Sequence, residues 1–199
     1  MPNTFKSFFA AIPLAALFGF LPVQAQETIG VKIPENSVIS DGVLTREEMA
    51  RYVVVAKAQL EYLTEHAAEK YEDELIVKSA PIPRAWMLMK DGKTVKELKL
   101  DKSGEDAPAN IKVVMFRAAL KSVARNGQIN AATILFAGQM SADNPQKVLV
   151  MEHEHRLGIS ASKFIPYKAE GDAPQFGEPE VKDKPFQMFY DDKSQAPTS

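Results

Sequence analysis

The densest run of proton- and metal-binding side chains in this 199-residue chain is Glu152-His153-Glu154-His155. On a strand, alternation sends His153 and His155 to one face with Leu149 and Met151, and Glu152 and Glu154 to the other. Two imidazoles spaced this way can share a metal. Zinc needs at least one further protein ligand, and copper would also accept sulfur from Met87, Met89 or Met151. His153 and His155 are therefore the candidate metal ligands, weighed against a plain strand end of alternating acid and imidazole. His153 is also a candidate acid, base or ligand contact, because its ordinary pKa lies near neutrality. Arg84 and Tyr167 are residue types that orient a small polar ligand, and they complete the candidate ligand-binding set.

Two stretches could meet a protein partner. Arg117, Lys121 and Arg125 recur at helical spacing and form a basic ridge. Near the C-terminus, Phe186, Phe189 and Tyr190 surround Met188 between charged stretches. Such a patch either closes the core as a last strand or offers an apolar interaction surface.

Several chemistries lack their usual signatures. The sequence contains no phosphate-binding glycine loop, dinucleotide fingerprint, Gly-x-Ser-x-Gly elbow or His-Glu-x-x-His pair. No cofactor is called for, and the reading leans away from an enzyme.

The N-terminus supplies an address. Lys6 precedes an almost unbroken apolar run from Phe8 to Val23, and Val23-Gln24-Ala25 offers small residues where a signal peptidase cuts. Residues 1–25 are expected to be a cleaved signal, and the protein periplasmic or secreted. The run is short for a permanent span, carries Pro13 and Pro22, and has no apolar counterpart downstream, so no membrane insertion is expected after cleavage. The whole chain has 24 basic and 26 acidic residues, and losing Lys6 makes the balance more acidic, which argues against nucleic acid as a partner. Cysteine is absent from the sequence, so packing rather than disulfides must hold an exported fold together.

The elements that must position these residues follow from periodicity. Residues 26–42 read as a linker, and 43–167 as a single domain. Thr45-Arg46-Glu47-Glu48 has the form of a capping box. Met49, Tyr52, Val53, Ala56, Leu60, Leu63 and Ala67 then mark one apolar stripe of a helix expected to reach about Lys70. His66 would support its C-terminal end. Pro81 and Pro83 break the chain, and the Asp91-Gly92 turn predicts a hairpin of Ala85–Met89 with Thr94–Leu100, the face of Trp86 being open. A second helix starts after Asp106 and Pro108, buries Val113, Phe116, Leu120 and Val123, and ends at Asn126-Gly127. Strands 129–137, 147–156 and 159–165 follow, joined by turns short enough to force antiparallel pairing. Residues 168–199 read as a polar tail, partly docked.

The expected fold class is α+β, an antiparallel sheet of a hairpin plus a three-strand meander, with the two main helices packed on one face. The expected function is non-enzymatic binding of a protein partner or small ligand. The alternative is a small-cavity enzyme or a periplasmic metal-handling protein using His153 and His155.

Overall fold

The computed structural model describes residues 46–77, 81–141, 143–170 and 173–190. In chain order the elements are α1 (Arg46–Val77), β1 (Arg84–Met89), β2 (Val95–Leu98), α2 (Lys102–Glu105), α3 (Ala109–Arg125), β3 (Ile129–Ser141), β4 (Asn144–His155), β5 (Ile159–Glu170), β6 (Ala173–Phe176) and β7 (Glu180–Asp183). The fold is the expected α+β arrangement. Its strands run antiparallel in the order β2-β1-β3-β4-β5-β6, and β7 pairs with β5 beside β6.

Local chemistry explains the boundaries. Asp91 shapes the β1–β2 turn: its Oδ1 accepts the Lys93 and Thr94 backbone N–H groups at 2.9 and 2.8 Å. Gly92 takes the positive φ of 70° that the turn requires. Asp101 caps α2 by accepting the Gly104 N–H at 3.0 Å, so a short helix stands where the sequence suggested only a polar loop. Gly127, with φ 66°, ends α3 as expected.

Register sorts the sheet into two faces. One row across it is Trp86, Thr133, His153 and Ala161; the next is Leu88, Ala131, His155 and Ile159. This face carries α1, whose Leu60, Leu63, Ala67, Ala68, Tyr71 and Leu75 pack on Trp86, Leu88, Leu135, Leu149 and Met151. Trp86 is thus a core anchor, edge-on to Tyr71 at 6.3 Å between ring centres. The opposite face carries α3, whose Phe116, Leu120 and Ala124 pack on Ala85, Ala132, Ile134 and Met188.

This placement corrects one detail of the expectation: the helices take one face of the sheet each. The cause is that the central strand β3 is apolar on both sides, with Ala131 and Leu135 on one face and Ala132 and Ile134 on the other. A strand buried on both faces needs a cover for each.

Two further differences concern length. The buried stripe of α1 continues through Tyr71 and Leu75, so the helix ends at Val77 and His66 lies well inside it, away from the terminal carbonyls. β5 extends to Glu170, and residues read as tail form β6, β7 and a bent strap over 184–190. Thr45, the proposed signal and the linker lie outside the described residues. Among the described residues no helix is long and apolar enough to cross a membrane.

Candidate functional site

The acid and imidazole run lies on β4 and divides as alternation requires. His153 and His155 face α1; Glu152 and Glu154 face α3. His155 is fully buried, and both its nitrogens are occupied. The Leu157 backbone N–H donates to Nδ1 at 3.0 Å, so the neutral ring carries its proton on Nε2 and donates it to Gln59 Oε1 at 2.9 Å. Burial lowers its pKa to about 3, helped by the Arg156 charge. His153 is lowered to about 4, first by burial and then by the nearby Lys163 ammonium. Both imidazoles are held neutral beneath a helix. Among the described residues no group of three His, Asp, Glu or Cys is placed to hold a metal ion.

On the other face the two glutamates are anchors. Glu152 accepts a two-pronged pair of bonds from Arg117, with Arg117 Nε 2.9 Å from Oε2. Arg117 therefore turns toward the sheet instead of standing with Lys121 and Arg125 in a solvent-facing ridge. The latter two carry interactions of their own. Glu154, with no exposed surface, accepts the backbone N–H groups of Gln187, Met188 and Phe189 at 2.8, 2.9 and 3.1 Å and the Lys184 ammonium at 2.5 Å. The 184–190 strap is thereby fastened to the sheet. Of its two sequence readings, Met188 follows core closure, since it is completely buried. Phe186 and Phe189 are half-buried, and Tyr190, packed edge-on against Phe186, donates its hydroxyl to the Arg156 carbonyl.

A concavity lies elsewhere. An open cleft with a cavity volume of about 430 Å³ lies where the C-terminal part of α1, the start of β1, the end of β2 and the first turns of α3 meet. Ile82, Pro83, Leu98, Leu100 and Phe116 give it apolar walls. Arg84 lines it between two carboxylates, paired with the buried Glu74 and lying 3.6 Å from Glu97. Lys99, Glu105 and Lys112 complete the lining.

Of the three candidate ligand contacts, only Arg84 lines this cleft. His153 is two strands away on β4. Tyr167 is buried against Phe176 and borders a separate groove of about 230 Å³ with Gln146, Pro166 and Gln175. The structure does not bring the three together.

Lys112 was the residue to notice. It is only 8 % exposed, and among the described residues no carboxylate lies within ion-pair distance of it. Its sequence signal is position: it stands four residues before Phe116 and eight before Leu120, at the head of the stripe by which α3 meets the sheet. A lysine in an apolar stripe is unusual; Glu74, three residues after Tyr71 and seven after Ala67, stands the same way in the stripe of α1, whereas Glu97 carries no such mark. No family model, curated protein or solved structure matches the chain.

Proposed function

We propose that this protein is an exported, non-enzymatic domain that binds a small ligand in the cleft around Arg84. The observation that carries the reading is the joining of fixed charge to apolar walls: Arg84 is held between Glu74 and Glu97 beside Ile82, Leu98, Leu100 and Phe116. Six of the eleven lining residues are charged, so the cleft suits a small ligand that carries a polar group as well as an apolar body. Burial of Glu74 and its pairing with Arg84 orient the guanidinium before any ligand arrives, which lowers the ordering cost of binding.

The lining supports binding over catalysis. It contains no hydroxyl, thiol or imidazole, and the three histidines all lie outside it. Two of its three carboxylates are already engaged with Arg84. Export to the periplasm or beyond rests on the apolar N-terminal run and its small cleavage residues.

A thermal-shift panel of small aromatic and aliphatic fragments on the exported protein tests the reading, since a ligand of the native state raises the unfolding midpoint. At least one fragment should raise it, and the rise should vanish in Ile82→Asp, which alters a wall residue that is 37 % exposed. A panel without effect, or one whose effect survives Ile82→Asp, would overturn the assignment.

A further inference from the structure

We infer that the ligand of this cleft carries a single carboxylate on an apolar body, and that Lys112 is the residue that receives it. The inference rests on the binding reading above and specifies its chemistry.

Three features mark Lys112. Its residue is 8 % exposed, so its apolar stem is packed away and only a small part of the side chain reaches solvent beside the cleft. Among the described residues it has no acidic partner. It also lies in the first turn of a 17-residue helix, where the macrodipole is positive, the Pro108 cap supplies no side-chain hydrogen bond and no acidic residue is present. A cation at the positive end of a helix, with no carboxylate paired to it among the described residues, is stabilised by an anion brought from outside. It lines a cleft that offers such a group access together with an apolar body.

The remaining charges limit that anion. Glu74 and Glu97 are engaged with Arg84, while Lys99 and Glu105 are exposed at the rim, so Lys112 is the inner lining charge that has no ion pair among the described residues. The lining holds three acids and three bases and is therefore balanced. A monoanion adds one negative charge beside Lys112. A phosphate dianion would add two among three existing carboxylates, and an amine would meet Lys112, Arg84 and Lys99. The carboxylate is the group that fits, with its apolar body against Leu98, Leu100 and Phe116.

Titration calorimetry on the exported protein separates the possibilities, using 3-phenylpropionate, 3-phenylpropan-1-ol and 3-phenylpropylamine as probes. The acid should bind about tenfold more tightly than the alcohol, with the amine weakest. Lys112→Met keeps the apolar stem; it should bring the acid to the alcohol's affinity while leaving the alcohol unchanged, which also reports that the cleft is intact. Lys112→Arg should retain the preference. Equal binding of acid and alcohol, a preference for the amine, an acid preference surviving in Lys112→Met, or displacement of the acid by equimolar inorganic phosphate would each overturn the inference while leaving the cleft as a binding site. If neither these probes nor any fragment of the thermal-shift panel binds, the cleft reading falls and the inference with it.

Discussion

Glu154 and Met188 are joined across the sheet face: the buried carboxylate on β4 accepts the Met188 backbone N–H at 2.9 Å, and the same carboxylate holds Gln187 and Phe189. A charge with no exposed surface gathers three amides and one ammonium, so its lost hydration is replaced by four donors. Glu154→Gln exchanges one acceptor oxygen for a donor that faces amide N–H groups. The expected cost is about 3–5 kcal/mol, the range for breaking a buried charge network, together with loss of hydrogen-exchange protection at residues 187–189. Unchanged protection at those amides would show that the strap is held by other contacts.

Met188→Ala isolates the apolar half of that attachment. Met188 fills space among Phe116, Leu120, Ile134 and Ala132, with no exposure. Truncation should cost about 2–5 kcal/mol, as for other buried large-to-small changes, and a chemical denaturation midpoint reports it. A loss below about 0.5 kcal/mol, the size of an ordinary surface substitution, would contradict burial of the side chain.

The alternation of β4 was legible in sequence, and so was the identity of every long element, because apolar periodicity is strong in α1, α3 and β3–β5. The roles of the polar residues were less visible. Glu154 binds backbone amides, which leave no trace in residue type, and so the strap at 184–190 read as tail. Arg117 shares its spacing with Lys121 and Arg125, yet the register that puts Glu152 beneath it is a tertiary fact. The assignment of one helix to each face turned on β3 being apolar on both sides, a pattern that Thr133 and Asn130 interrupt in the sequence. Within the cleft, Arg84 was named early, while Glu74 and Glu97 become its partners only when α1 and β2 meet β1.

Acid should weaken the fold above the ordinary carboxylate range. The folded-state pKa values of about 4 for His153 and about 3 for His155 lie below the usual 6.5, so the unfolded chain binds more protons as the pH falls through 6.5. Their contribution is complete above pH 6.5 and declines toward the folded values. From pH 7 to pH 5 the loss should be about 2–4 kcal/mol, and His153→Gln should reduce the pH slope by about half. Urea denaturation at pH 7, 6 and 5 measures this directly. Stability that stays flat across that interval would contradict burial of the two rings in neutral form.

The central claim is that the functional surface is the cleft at Arg84 and not the strap or the outer face of α3, and methyl NMR on the full protein decides it. Titration with 3-phenylpropionate should shift the methyl resonances of Ile82, Leu98 and Leu100, which line the cleft, and leave unmoved those of Met188 in the core and of Ile111 and Val114 on the exposed side of α3. Shifts confined to Met188, or to Ile111 and Val114, with Ile82, Leu98 and Leu100 unmoved, would contradict the account.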